Sequence, residues 1–141
     1  MIIVLDTNVL SEVLKPSPEE AVLHWLAEQN REIVFTTAIT QAEIMYGVEM
    51  LPSGKRRTRL QHAVEKLFRE EFPERILVFD SGSALLYPKI VARRARLGHP
   101  ISQFDALIAS VCHSRNAAIA TRNTTDFEDC GLTIVNPWNS R

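Results

Sequence analysis

Ile2-Ile3-Val4-Leu5-Asp6-Thr7-Asn8 is the stretch on which the reading of the fold turns. Its first four residues are apolar and mostly β-branched, the pattern of a short strand covered on both faces. Asp6, Thr7 and Asn8 follow at once, and side chains of these types cap helix starts by accepting from the first free backbone N–H groups. A buried strand that runs directly into a helix opens a parallel α/β unit.

The same alternation continues outward. Ser17-Pro18-Glu19-Glu20 reads as a helix start with Pro at the first position and acids in the first turn, and Val22, Trp25 and Leu26 supply the apolar face of a helix reaching about Asn30. Ile33 to Phe35 reads as the second strand. Thr36 and Thr37 can cap a helix from about Ile39 to Met50, which stops before Pro52. Between Lys55 and Phe72 the residues Leu60, Val64, Leu67 and Phe68 recur at helical spacing. Ile76 to Phe79 is the third strand, and Ser81 to Leu97 a helix closed by Gly98, with Pro88 expected to kink it. Ser102 opens a helix to about Asn116, Ala117 to Ala120 is the fourth strand, and a helical turn precedes a last strand, Thr133 to Val135. Helices on both faces of a parallel sheet are the expected architecture. No repeat, linker or low-complexity stretch interrupts it, so a single domain over residues 1–141 is expected.

At 141 residues and 45% hydrophobic content, the chain can bury a core of ordinary size. Its 16 Lys and Arg against 17 Asp and Glu leave a net charge of −1, so the chain as a whole is no electrostatic nucleic-acid binder and any such contact must come from local patches. Lys89, Arg93, Arg94 and Arg96 form one candidate patch; Lys55, Arg56, Arg57 and Arg59 form another, which reads more readily as a solvated helix face. Cys112 and Cys130 fit neither a disulfide framework nor a zinc spacing, which points to a reducing, cytosolic setting. With no basic leader and no long apolar run, neither secretion nor a membrane span is expected. The histidines show no metal-ligand spacing.

In a parallel sheet, loops from strand to helix open at the carboxyl edge, where such folds place their ligands. Asp6 ends the first strand, Glu43 lies early in the helix after the second, Asp105 is in the first turn of the helix before the fourth, and Asp126 follows Thr121 at the end of the fourth. Asp6 and Asp105 each have an alternative role in capping, and Asp126 alone would pass for a loop acid. Glu43 shares a helical face with Ile39, Tyr46, Gly47 and Met50, positions expected to be buried, and a buried glutamate needs a partner or a metal. Carboxylates gathered at one edge raise one another's pKa unless a cation neutralises them, and hard oxygen ligands suit Mg²⁺ or Mn²⁺. Hydrolysis of a phosphodiester is the natural chemistry of such a site. Rival chemistries lack their motifs: there is no Gly-rich dinucleotide fingerprint, phosphate-binding P-loop or Gly-x-Ser-x-Gly nucleophile.

Four blocks stand in order along the chain: Leu5-Asp6-Thr7-Asn8; Ala42-Glu43-Ile44 with Tyr46-Gly47; Phe104-Asp105-Ala106-Leu107-Ile108-Ala109; and Ala120-Thr121-Arg122-Asn123 with Asp126-Phe127. They resemble the motif blocks of the VapC-type PIN-domain ribonuclease toxins over essentially the whole chain. The ending Asn136-Pro137-Trp138 and the approach from Gly98 to Ser102 resemble the FitB subgroup. The resemblance implies an α/β/α sandwich with a central parallel sheet of about five strands. It further implies a Mg²⁺- or Mn²⁺-dependent endoribonuclease, the toxin of a type II toxin–antitoxin system in a prokaryotic cytoplasm. Such toxins form homodimers and are held inactive by a small DNA-binding antitoxin whose tail covers the acids, so DNA would be contacted only indirectly.

Position by position, Asp6, Glu43 and Asp105 match the family's core acids. Many members carry a fourth acid directly after the Thr-Arg pair, where this chain has Asn123; either Asp126 completes the set, the preferred reading, or Asn123 contributes as a neutral ligand. Asn8 and Thr121 match polar positions that support the acids, and Arg122 either contacts the scissile region or neutralises them. Asp80 falls on an edge strand in the family's sheet order and reads as a cap. Trp25, Phe104 and Trp138 read as core or interface residues rather than base-stacking platforms. Two other functions share these features: a PIN-fold binding module that no longer cleaves, and a metal-dependent DNA nuclease or phosphatase.

Overall fold

Ile3, Val4 and Leu5 form the middle strand of a five-stranded parallel sheet in the computed structural model, which describes residues 1–139. The strands are β1 (Ile3–Leu5), β2 (Val34–Thr37), β3 (Ile76–Leu77), β4 (Ala118–Ala120) and β5 (Ile134–Val135), in the order β3-β2-β1-β4-β5. Ile3 pairs with Val34 on one side and Ala118 on the other, so the register is shared across the sheet centre. The chain builds outward from β1 to β3 and then crosses back to β4, and the strand order reverses beside β1. That switch point opens a crevice at the carboxyl ends of β1 and β4.

Among the described residues six α-helices cover the sheet: α1 (Thr7–Val13), α2 (Glu20–Ala27), α3 (Ala38–Glu49), α4 (Lys55–Glu71), α5 (Ser81–Arg96) and α6 (Gln103–Ser114). Their starts follow from the capping residues. Thr37 accepts from the Thr40 N–H, Asp80 from the Ser83 N–H and Ser102 from the Asp105 N–H. Gly98, at φ +78°, ends α5 in the left-handed conformation that a Cβ disfavours, and the His99 N–H closes back on the Arg94 carbonyl at 2.9 Å.

Adjacent strand residues face opposite sides, and the two cores show it. Leu5 and Ala120 pack with Val9, Leu10, Val22, Trp25, Val64 and Phe68, while Val4 and Ile119 pack with Ile90, Ile108, Val111 and Phe127. The fold is thus an α/β/α sandwich: helices lie on both faces of a parallel sheet, as the strand and helix order predicts, and the sheet has the five strands that the resemblance implies.

Some boundaries differ from the sequence reading. α2 begins at Glu20 and ends at Ala27, leaving Ser17 and Pro18 outside it, because the Glu19 N–H is held by Glu12 Oε2 at 3.0 Å and the turn is fixed from α1. Asn30 caps a separate 3-10 turn, Arg31–Ile33. β3 stops at Leu77, with Val78 and Phe79 exposed beyond it, and β5 starts at Ile134. Pro88 lies within α5, which runs on to Arg96. Among the described residues no helix is long and apolar enough to cross a membrane.

Candidate functional site

Asp6 leaves β1 with its backbone N–H donated to the Ala120 carbonyl at 2.9 Å, which pins it to the end of β4. Its Oδ1 accepts from the Thr7 N–H at 2.8 Å, and its Oδ2 accepts from the Thr121 hydroxyl at 2.8 Å and the Asn8 amide at 3.3 Å. Asp6 therefore caps α1 and also lines the crevice; the two readings of it are not exclusive. Asn8 Nδ2 also donates to Thr121 Oγ1, while Asn8 Oδ1 accepts from the Arg122 N–H and Thr121 Oγ1 from the Asn123 N–H. This web ties the ends of β1 and β4 together and fixes the orientation of the Asp6 carboxylate.

Glu43 approaches from α3, where its Oε1 accepts from the Thr7 hydroxyl at 2.8 Å, and Thr7 in turn meets the Thr40 hydroxyl at 3.1 Å. Its face of α3 is not the buried one expected from sequence. Tyr46 and Met50 are 66% and 65% exposed, and the core is touched by Thr40, Ile44 and Val48 instead. Glu43 is half-buried at the crevice edge. Asp105 reaches the same crevice from the first turn of α6.

Asp6, Glu43, Asp105 and Asn123 line one cleft of about 380 Å³ together with Thr7 and Asn8. Asp126 does not line it. It faces an adjoining depression shared with Arg94 and His99, although its charge is felt at Asp105. Among the described residues, no three His, Cys, Asp or Glu side chains stand together as a ready-made metal cage.

Burial has raised the carboxyl groups of Asp6, Glu43 and Asp105. Asp6, only 5% exposed, is pushed from 3.8 to about 6 by burial against the opposing bonds from Thr121 and Thr7, and the charges of Asp105 and Glu43 add to the rise. Burial likewise raises Glu43 despite the Thr7 bond, with Asp105 adding. Asp105 is raised by burial and by Asp126, while Ser102 and Arg94 pull it down.

The opposite wall was not singled out from sequence. Ser11, Glu12 and Lys15 complete the cleft beside Arg122 and Trp138. Glu12 is 3% exposed, and its carboxylate accepts from Lys15 Nζ at 2.9 Å and from the Glu19 N–H, bonds that hold its pKa down. The Arg122 guanidinium lies 5.3 Å over the Trp138 ring. A signal for this wall was present in the spacing of residues 8, 11, 12 and 15, which puts polar side chains on one helical face.

Residues 3–131 match the family described as PIN domain. The chain belongs to the PIN-domain family. It is 40% identical to the VapC ribonuclease Y4jK of Sinorhizobium fredii over 96% of this chain and 97% of that one. It is 37% identical to the Toxin FitB of Neisseria gonorrhoeae, covering 97% of this chain and 99% of FitB. The solved structure of FitAB bound to an IR36 DNA fragment superposes with a TM-score of 0.93 at 36% identity, over 99% of this chain and 98% of that one.

Within this PIN domain the basic residues divide differently from the expected patches. Lys89, Arg93 and Arg96 are exposed, but Arg94 is buried and hydrogen-bonded to carbonyl groups, so it cannot serve a surface phosphate patch. Arg57 is engaged with Glu49 at 2.6 Å. Trp25 is in the core and Trp138 packs against it, whereas Phe104 is half exposed. Asp80 caps α5 at the edge strand β3.

The raised Asp6 carboxyl gives this PIN domain a signed pH dependence. A group whose folded pKa exceeds its unfolded value opposes folding when ionised, by about 3 kcal/mol for a shift of two units. That cost is present above about pH 6 and fades as the folded form takes up its proton on the way to 3.8. In chelator-treated protein, the Tm difference between pH 7.5 and pH 5.5 is expected to favour the lower pH, and Asp6→Asn to flatten that slope. Equal slopes in the two proteins would contradict the burial of a charge at Asp6.

Proposed function

We propose that this PIN domain is a ribonuclease of the VapC type that hydrolyses RNA phosphodiester bonds with Mg²⁺ or Mn²⁺. The observation that carries the reading is the meeting of Asp6, Glu43 and Asp105 on one cleft with all three carboxyl groups raised, a cost that a cation would remove. The donor set fits such an ion: carboxylates and the Asn123 amide are hard oxygen donors. Mg²⁺ keeps several waters and binds through one or two carboxylates plus substrate phosphate, a number of ligands that the cleft acids supply. When bound, the ion supplies charge neutralisation at the phosphate and activation of the attacking water.

This chain's own residues do the rest. Thr7, Asn8 and Thr121 fix the oxygens of Asp6, as outer hydrogen-bond partners of metal ligands do. Glu43, with Oε1 taken by Thr7, keeps Oε2 for a proton of the attacking water. With Lys15 paired to Glu12, Arg122 brings the positive charge to the opposite wall, where the RNA backbone would run.

The relatives named as VapC ribonuclease and Toxin FitB, and the FitAB complex with DNA, support a toxin paired with a DNA-binding antitoxin in a bacterial cytoplasm. A groove lined by Leu14, Ile44, Val48, Leu51 and Leu60, rimmed by Arg56 and Arg59, runs into the cleft at Thr7 and Glu43 and fits an antitoxin tail. Met45, Tyr46 and Met50 on α3, with Leu85 and Phe104, offer apolar surface for a homodimer. DNA would then be reached only through the antitoxin.

The test is cleavage of tRNA, rRNA fragments and single-stranded DNA by antitoxin-free protein, with Mg²⁺, with Mn²⁺ and with chelator, beside Asp6→Asn. Metal-dependent cleavage of RNA alone, absent in the variant, is expected. Cleavage of DNA would favour the DNA nuclease reading, and metal binding without any cleavage the binding-module reading.

A further inference from the structure

Arg94 is the only buried arginine among the described residues, 5% exposed, in the last turn of α5. A cation at this position would ordinarily sit in water and interact with the helix C-terminus from outside. Arg94 instead turns inward and binds carbonyl oxygens on two separate loops. Nε donates to the His99 carbonyl at 2.7 Å, and Nη1 donates to the Asp126 carbonyl at 2.6 Å and the Glu128 carbonyl at 3.1 Å. Nη1 also lies 3.7 Å from Cys130 Sγ.

None of these bonds goes to a carboxylate. Removing a guanidinium from water is costly, and neutral carbonyls offset that cost only where the hydrogen-bond geometry is good, so the bonds of Arg94 hold its carbonyl partners in place. The two loops line the depression beside the cleft, and each leads to a residue of the cleft itself, Asp105 or Asn123. His99 lies on the connection from α5 to Ser102, which caps α6 and so sets Asp105; Asp126 and Glu128 follow Asn123 directly on the segment leaving β4. The planar fork is suited to this bridging because its donors point in fixed, different directions.

We propose that Arg94 is a positioning residue for the cleft: its guanidinium clamps the segment from Asn123 to Cys130 to the α5–α6 connection at His99, three residues before the Ser102 cap of α6, so that Asp105 keeps a fixed relation to Asn123 and Asp126. Its consequence for a metal ion rests on the function proposed above, whereas the clamp itself does not. Asp105 lies within reach of the Arg94 charge, which places the cation on the side of the cleft where carboxylates crowd.

The experiment compares Arg94→Met and Arg94→Lys with the wild-type chain by three readouts: amide hydrogen exchange over residues 123–130 without metal, the Kd for Mn²⁺ by calorimetry, and kcat and KM on the RNA that the wild type cleaves. Arg94→Met is expected to exchange at least about ten-fold faster over residues 123–130 with β1 unchanged. It should also bind Mn²⁺ about 10–100-fold more weakly, the range seen when partners that orient ligands are lost. Its kcat should fall with KM unchanged, and Arg94→Lys should fall between the two, since an ammonium cannot reproduce the fork. Wild-type exchange and Mn²⁺ affinity in Arg94→Met would overturn the proposal. A raised KM at constant kcat would overturn it too, by making Arg94 an RNA contact. If Arg94→Met does not fold, Arg94→Lys carries the comparison, and wild-type values there overturn the proposal. Should the wild type bind no Mn²⁺, the metal reading falls while the exchange data still decide the clamp.

Discussion

Asp105→Asn is expected to lower RNA cleavage by about 10²–10³-fold, the scale on which one preorganised electrostatic group contributes to a transition state. The side chain keeps its size and its place in the first turn of α6, where the Ser102 cap is made to the backbone N–H and survives the change. Only the negative charge toward the cleft is lost. Circular dichroism and Tm should therefore match the wild type while metal binding weakens. Asp126→Asn provides the contrast. Asp126 faces the adjoining depression and acts on the cleft through its charge on Asp105, so a loss of roughly ten-fold is expected, one unit on the logarithmic rate scale. If Asp126→Asn proves as damaging as Asp105→Asn, Asp126 is a direct ligand. If Asn123→Ala does the greater harm, the neutral residue in the cleft completes the site.

Phe127→Ala should be the most destabilising single change considered, at about 3–5 kcal/mol. Phe127 is 1% exposed and is the largest fully buried side chain, packed with Val4, Ile108 and Ile119 on the α6 face of the sheet. It ends the 3-10 turn that carries Asp126, so its ring anchors to the core the same segment whose carbonyls Arg94 holds. A loss of this size is a large share of the stability of an ordinary domain. Denaturant unfolding would show it as a lowered midpoint at constant slope. A cost below about 1 kcal/mol would mean that the cavity collapses, contrary to close packing around Phe127.

Much of this was legible in the chain because the decisive signals are local. The run from Ile2 to Leu5 followed by Asp6-Thr7-Asn8 states a strand, a cap and a helix within seven residues, and Thr37, Asp80 and Ser102 repeat the cap at later helices. Asp6, Glu43 and Asp105 could be assigned to one edge because parallel crossovers leave little freedom. What stayed hidden depends on contacts far apart in sequence. Nothing near Arg94 tells that two of its partners are carbonyl groups 32 and 34 residues on, so it reads as one of four basic residues on a helix. The exposed face of α3 failed for another reason: Tyr46 and Met50 are apolar, and periodicity does not separate a face turned to the core from one left for a partner. The start of α2 was misplaced because a buried glutamate on α1 holds the Glu19 N–H in place of a local cap.

β3 and β5, the two rims of the sheet, are two residues long each. A rim this short presents few unpaired backbone groups to a second molecule, so strand-to-strand stacking of the kind that seeds fibrils has almost no template here. Crowding of this protein in a cell would be met at helix faces, through side chains such as Tyr46, Met50 and Leu85. Contacts of that sort are reversible and can be tuned residue by residue.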